Sequence, residues 1–167
     1  MTVATAIFFG VAWAVVIGSC LFAILKGGPP ERLAGAACLV TMAGAWMTCP
    51  HDSSAYQQFE AGVAVFDVCQ LLMFILLSHW AKRQWLFAAA GAQVIACLAH
   101  FAKAIDRTMS VGAYSQMEGF AIWPISLSLL LGTWAHRRRV RLIGADPSWK
   151  RSLPLGVLRT LRALRLD

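Results

Sequence analysis

The sequence predicts an all-α integral membrane protein: a bundle of five transmembrane helices, with its N-terminus outside and its C-terminus in the cytoplasm, followed by a basic amphipathic helix. Hydrophobic residues make up 59% of the 167 and charged residues only 14%, against about 25% charged in a soluble domain. Mean hydropathy is +0.63. A soluble fold of this length could not bury so much apolar surface, so we expect a bilayer to be its solvent.

Five apolar stretches are long enough to cross a bilayer, which takes about 17–25 residues in a helix. They cover residues 4–25, 33–49, 61–80, 85–102 and 119–135. Between the first two, "KGGPPER" supplies the Gly-Gly that ends a helix and the Pro-Pro that begins the next. No Lys or Arg precedes the first stretch, which favours a retained helix over a signal peptide. The predicted transmembrane domain is therefore 1–136.

The basic residues predict the orientation of these spans. Thirteen of the fifteen lie in the turn after span one, in the turn after span three or after residue 136, and only Lys103 and Arg107 fall on the opposite side. Cytoplasmic segments of membrane proteins are enriched in Lys and Arg, which predicts N-out, C-in. Aromatic residues agree: Trp80, Trp85 and Trp134 fall at the inner boundary and Trp46, Tyr56, Tyr114 and Trp123 at the outer one. Trp13 falls mid-span and is expected to face other helices.

Small residues predict how the spans pack. Residues 33–45 and 87–93 are rich in Gly and Ala, which let helix backbones approach closely. Spans two and four are therefore expected at the centre of the bundle. Five short spans are expected to enclose little cavity.

The segment 137–167 is predicted to be a basic cytoplasmic tail. Leucines and arginines recur every three residues within "LRTLRALRLD", which favours an interfacial helix over 153–166 on anionic lipids. The predicted lipid contacts are Arg137, Arg138, Arg139, Arg141, Arg159, Arg162 and Arg165. A partner-binding helix and a disordered tail stay open as alternatives. Nucleic-acid binding is not expected, because no recognition motif accompanies the charge.

Ionisable groups inside spans are costly and mark candidate functional sites. Asp67 lies about two turns into span three, with Gln70 on nearly the same face. Gln93 and His100 share a face of span four. Spans three and four must run side by side because only "AKRQ" joins them, so Asp67 and His100 are expected at similar depths and able to pair.

Three interpretations of this polar set stay open. Asp67 and His100 could be a structural clamp between helices, or could line a path for protons or a solute. In the third interpretation, His100 joins Cys49, His51 and Asp52 of "TCPHD" as metal or cofactor ligands at the outer face, although this spacing is not a recognised zinc motif.

Enzymatic chemistry has little support in the sequence. No nucleophile elbow, phosphate-binding loop or H-E-x-x-H motif is present. The five cysteines form no C-x-x-C pair and are expected to behave as small apolar residues. An enzyme acting on lipid stays open, and no cofactor is assigned.

"GGPPER", the Asp of span three, "AQVIACLAHFAKAID" and "GTWAHRRR" together resemble a group of small bacterial inner-membrane proteins with five spans. The resemblance extends over most of residues 26–139. It implies the multi-pass architecture and a bacterial cytoplasmic membrane, and it assigns a role to no residue.

The leading functional hypothesis is a non-enzymatic accessory or assembly subunit, working as a homo-oligomer or with a membrane protein partner. One alternative is a small transporter or channel component that uses Asp67 and His100. The other is a membrane-embedded enzyme or cofactor binder at the outer face.

Overall fold

The computed structural model describes residues 3–50 and 55–144, with side chains for 10–50, 55–142 and 144. Over these residues the chain is helical and has no strand, which confirms the predicted all-α class. The helices are α1 (Val3–Lys26), α2 (Pro29–Thr48), α3 (Ala61–Ala81), α4 (Gln84–Ile105), α5 (Val111–Phe120) and α6 (Ile122–Ile143). The expected interfacial helix over 153–166 lies outside the described residues.

Helix ends differ from the predicted spans where local capping decides them. α2 begins at Pro29 rather than at 33, because proline suits a first helical position and the Glu31 carboxylate accepts a hydrogen bond from the Gly28 amide at 3.1 Å. α5 lies in the region predicted as a polar connection, and the Ser110 hydroxyl caps it by accepting from the Ala113 amide at 3.2 Å. A short helix inside a predicted loop was therefore missed.

The five long helices form a closed ring in the order α1, α2, α3, α4, α6, and α6 returns to pack against α1. α5 packs on α4 and α6. The expectation that the second and fourth helices form the centre is therefore wrong, since each packs mainly along its ring neighbours. The small residues serve these neighbour contacts instead. A Cβ at Gly35 of α2 would lie 3.0 Å from the Cys20 carbonyl oxygen of α1.

The ring has two chemically different ends. At one end, the α1–α2 turn packs on α6, where a Cβ at Gly28 would lie 2.7 Å from the His136 ring. Arg83 of the α3–α4 turn lies at the same end, with its Nε 4.0 Å from Glu31. Among the described residues this end carries eight basic side chains: Lys26, Arg32, Lys82, Arg83, Arg137, Arg138, Arg139 and Arg141. We name it the basic end, and the opposite end, with residues 49–50, 55–60 and 106–121, the acidic end.

The ring has apolar outer faces, and several polar side chains are buried among apolar ones in its interior. Large apolar side chains exposed on α3 and α4 include Val65, Val68, Leu72, Ile75, Leu76, Phe87, Val94, Leu98 and Phe101. Side chains buried between the helices include Asp67, Gln70, Gln93 and His100. Water-soluble domains usually bury large apolar side chains and expose polar ones, whereas this ring exposes apolar faces and buries several polar groups.

By length and composition, two helices within the described ranges could cross a membrane, namely α3 and α4, and a shorter apolar stretch covers Gly10–Lys26. α6 carries a run of arginines, and α2 has Glu31 and Arg32 near its start followed by many Gly and Ala residues. Membrane association has this support from helix composition, and the number of spans stays a prediction.

The close approach of α1 and α2 predicts the effect of a larger residue at Gly35. Gly35→Leu should lower the free energy of unfolding by about 1–3 kcal/mol, because the added side chain meets the α1 backbone. The matched control is Gly91→Leu, where a Cβ meets nothing within 4 Å. Denaturant titration of the purified protein in detergent would measure both, and equal stabilities would contradict this packing.

Candidate functional site

Asp67 and His100 form a direct contact between α3 and α4. The buried residues of each helix recur every three or four positions, which makes one inward face, and both side chains lie on that face. His100 Nε2 lies 2.8 Å from Asp67 Oδ2, and the two residues are 3% and 7% exposed. The structure thus brings together the two ionisable residues that the sequence placed at similar depth.

Gln93 and Gln70 extend this contact into a line of hydrogen bonds. Gln93 Nε2 donates to Asp67 Oδ1 at 3.0 Å and to the Asp67 carbonyl at 3.3 Å. Gln70 Nε2 donates to Gln93 Oε1 at 2.9 Å. All four of the residues predicted as an intramembrane polar site therefore belong to one network.

The chemistry of the carboxylate fixes the direction of this line. An ionised Asp67 only accepts hydrogen bonds, so Gln93 must present its NH₂ group to it. The Gln93 oxygen then faces Gln70, which must donate in turn. Gln70 Oε1 is left over: it is buried and has no hydrogen-bond partner. A buried acceptor without a partner is destabilising by about 1–3 kcal/mol.

Tyr114 continues the network on the other side of His100. Its hydroxyl lies 2.6 Å from His100 Nδ1, and the two rings meet edge to face at 5.5 Å. In the tautomer whose proton is on Nε2, facing the carboxylate, Nδ1 of His100 can accept a hydrogen bond from the tyrosine hydroxyl. The Glu60 backbone amide donates to the same hydroxyl at 3.4 Å.

The sequence predicted Tyr114 as an anchor at the outer interface, yet it is fully buried. It lies at the acidic end as expected, but it packs inward because α5 folds back over α4. Burial raises the pKa of Tyr114 to about 12, so the hydroxyl keeps its proton and can donate it to His100.

Glu118 and Tyr56 form a second polar group at the acidic end. The Tyr56 hydroxyl hydrogen-bonds the Glu118 carboxylate, and the Tyr56 amide donates to Glu60 Oε1 at 3.0 Å. Burial, and next the nearby Asp67 charge, raise the pKa of Glu118 to about 7, although the Tyr56 hydrogen bond acts in the opposite direction. Burial also raises the pKa of Tyr56. Glu118 was not among the predicted site residues.

A cavity of about 340 Å³ lies between the helices of the ring. Its polar wall consists of Tyr56, Asp67, Gln70, Gln93 and Glu118. Its other walls are mostly apolar or carry small polar groups: they include Trp13, Trp46, Met42, Ile122, Ile125 and Leu129, together with Ser19, Cys20, Cys38, Thr41, Ser115 and Ser126. The expectation of little cavity is therefore wrong, because a ring of helices leaves space that a centred packing would fill.

Trp13 contributes to the apolar wall as a pair with Trp46. The two rings meet edge to face at 5.7 Å with an interplanar angle of 84°. The prediction that Trp13 faces other helices is confirmed. α1 and α2 thus contribute an aromatic surface to the cavity.

The predicted metal alternative has no counterpart among the described residues. Cys49 lies on the cavity wall, and His100 is engaged by Asp67 and Tyr114. His51 and Asp52 lie outside the described residues. Within the described ranges no group of three or more His, Cys, Asp or Glu residues could hold a metal ion.

The predicted lipid-contacting arginines lie partly within α6. Arg138 and Arg141 are exposed, whereas Arg137 and Arg139 are half-buried. The Arg137 guanidinium lies 5.8 Å from the Phe22 ring centre of α1. Arg159, Arg162 and Arg165 lie outside the described residues.

A buried ion pair that the sequence pattern did not predict lies at the basic end. Glu31 is fully buried, and Arg83 Nε lies 4.0 Å from its carboxylate. Arg83 had been counted only as a charge that sets orientation. The Pro-Pro-Glu sequence at the start of α2 could have predicted the position of the Glu31 side chain, since a Glu at the third helical position typically folds back on the helix start.

Comparison with known proteins gives no relative: no family model, no curated protein and no solved structure matches the chain. The resemblance to small five-span inner-membrane proteins stays a prediction.

The Asp67–His100 contact predicts energetic coupling between α3 and α4. Asp67→Asn, His100→Asn and the double variant should give a coupling free energy of about 1–3 kcal/mol, because either single change leaves a buried partner without its hydrogen bond. Unfolding in detergent would measure the three variants. Strictly additive effects would contradict a direct contact.

Glu118 predicts a pH dependence of stability. Its pKa is raised in the folded state, so its stabilising contribution is complete below about pH 4.5, declines as the pH rises towards 7 and is absent above that. Glu118→Gln should remove a decline on the order of 1–3 kcal/mol, with partial solvent screening reducing it. Melting curves between pH 4.5 and 8 would measure it.

Asp106→Asn is the matched control for that experiment. Asp106 is exposed, and hydrogen bonds from Thr108 lower its pKa. Its contribution is lost only as the pH falls below the ordinary range of an aspartate, so the variant should keep the wild-type slope between pH 4.5 and 8. An unchanged slope in Glu118→Gln would contradict the assignment.

Proposed function

We propose that this chain is a five-span protein of a bacterial cytoplasmic membrane that binds a small amphipathic molecule within its helix ring, as a small transporter or a component of one. The observation that carries the proposal is the cavity of about 340 Å³ with the Asp67 network on one wall. Small-molecule sites in proteins are typically concave and mostly apolar, with a few placed polar groups.

The distribution of side chains supports a membrane setting. Large apolar residues cover the outside of α3 and α4, and ionisable residues are buried between helices. The basic end, with eight Lys and Arg against Lys103 and Arg107 at the acidic end, supports the cytoplasmic placement of the C-terminus.

The geometry favours a binding role over a purely structural clamp. A clamp requires Asp67 and His100 to pair, and that contact is present. It does not require the unpartnered Gln70 oxygen or Glu118 on a cavity wall. Polar side chains that line a cavity and still have an unused hydrogen-bonding atom are typical of ligand sites.

The hypothesis of an accessory or assembly subunit, alone or as a homo-oligomer, stays open beside this proposal. No contact within the described residues bears on a partner chain. The cavity makes the transporter class the stronger proposal.

The cavity predicts that a bulky residue on its wall blocks ligand binding. Three probes of similar size test it: 2-phenylethylamine, 2-phenylethanol and phenylacetate. At least one should raise the melting temperature of the purified protein in detergent, and Ala96→Phe, which fills the cavity from α4, should weaken that binding at least tenfold.

Ala88→Phe is the matched control, because Ala88 is on the same helix with an exposed side chain. It should bind the probe as the wild type does. Native mass spectrometry of protein released in mild detergent would show bound small molecules independently. Binding of none of the three probes, with nothing bound on release, would contradict the proposed function.

A further inference from the structure

We propose that the cavity takes an organic cation, a protonated amine on an apolar body, with its ammonium group on the wall formed by Asp67, Gln70 and Glu118. This inference rests on the proposed binding function and names the chemical class of its ligand. Four features of the described residues carry it.

The first feature is the charge of the cavity wall. Asp67 and Glu118 are carboxylates, and no Lys, Arg or His is among the described residues that line the space. His100 contacts Asp67 from between α3 and α4 and is not part of the wall. A ligand in the cavity therefore meets carboxyl groups and no cationic side chain on the described wall, in a setting of low dielectric where charge interactions are strong.

The second feature is the unpartnered oxygen of Gln70. The side chain is buried and lines the cavity, and its Oε1 has no hydrogen-bond partner. An acceptor in this position can take a hydrogen bond from a ligand in the cavity. An ammonium group carries up to three N–H donors and no acceptor, which matches it to a carboxylate and an amide oxygen together.

The third feature is the aromatic surface on the opposite helices. Trp13 of α1 and Trp46 of α2 line the cavity, and the Tyr56 ring of the 55–60 segment lies on the polar wall beside Glu118. Aromatic faces attract cations, and tryptophan does so most strongly. Apolar residues of α6 provide the remaining surface, which suits the hydrocarbon body of an amine.

The fourth feature is the protonation of Glu118. With a pKa of about 7 it is partly protonated near neutral pH. A cation beside it favours the ionised form, so the carboxyl O–H bond breaks, the proton leaves to water and the carboxylate pairs with the ammonium group. Binding of the cation is thereby linked to release of a proton from the molecules in which Glu118 is protonated.

No Lys, Arg or His faces Glu118 from the described cavity wall, although other titratable groups lie near it. Tyr56 from the 55–60 segment hydrogen-bonds it, Asp67 of α3 raises its pKa and His100 of α4 lowers it. The Glu118 charge contributes to raising the pKa of Cys49, at the end of α2, and the pKa of Tyr114, on the same helix as Glu118. The α1 and α6 residues on the wall add no Asp, Glu, Lys, Arg or His.

The experiment compares the three probes by charge on the wild-type protein in detergent. At pH 8.5, 2-phenylethylamine should bind at least tenfold more tightly than 2-phenylethanol, and phenylacetate should bind weakest. At pH 5.5 the amine should bind about tenfold more weakly, because Glu118 is protonated. Equal or tighter binding of the alcohol or the carboxylate would overturn the inference while leaving the proposed binding function in place.

Variants test whether Glu118 causes the pH dependence of amine binding and whether Gln70 accepts a hydrogen bond from the ammonium group. Glu118→Gln should abolish the pH dependence of amine binding, and Gln70→Met should weaken the primary amine more than its N,N,N-trimethyl analogue, which has no N–H donor. Asp106→Asn should bind as the wild type does. Unchanged pH dependence in Glu118→Gln would overturn the inference.

A measurement on the wild type keeps the test independent of how the variants fold. In weakly buffered solution near pH 7, amine binding should release protons to a pH-indicator dye, and 2-phenylethanol should release none. Amine binding without proton release would overturn the link to Glu118. Binding of none of the probes would overturn the proposed function and this inference together.

Discussion

The contact between Asp67 and His100 is the interaction on which the arrangement of this bundle depends. It joins α3 to α4 at 2.8 Å and orients both partners for further bonds, with Gln93 on one side and Tyr114 on the other. Burying a carboxylate is unfavourable unless each of its oxygens has a partner. Here Oδ1 of Asp67 contacts the Gln93 amide and Oδ2 contacts the His100 imidazole, so both carboxylate oxygens have a partner and the side chain has a fixed orientation. α5 is tied to the ring by the same network through Tyr114.

A second constraint is that large apolar side chains lie on the outside of the ring while several polar side chains are buried between its helices. Helices that expose apolar faces outward gain little from packing those faces on each other in lipid, so association rests on close backbone approach and on interior polar contacts. Gly35 against α1 illustrates the first, and the Asp67 network illustrates the second. The ring order leaves a space that these contacts border without filling. Polar groups can line that space because they are satisfied mainly by one another.

The helices and the central pair could be predicted from sequence because they depend on local pattern. Asp67 and His100 lie on apolar helices joined by four residues, so their depths follow from helix rise alone. Tyr114 and Glu118 could not be placed in this way, because α5 lies in a stretch whose polar composition resembles a loop. Its inward face depends on packing against α4. The ring order and its cavity also depend on contacts between distant helices, which small-residue content does not specify. Arg83 was interpreted only as a charge that sets orientation, although tertiary packing buries it beside Glu31.

The buried pair of Glu31 and Arg83 has a consequence for the shape of the interior. The cavity wall includes residues of the acidic end, such as Tyr56 and Glu118, and reaches mid-helix residues such as Cys20 and Leu129. None of its lining residues comes from the turns at the basic end, where Glu31 is fully enclosed. Among the described residues, this cavity therefore does not extend to the turns at the basic end, where the charged pair lies. For the transporter proposed above, this pair of opposite charges would be a barrier at the basic end that a solute crossing the whole bundle would have to separate.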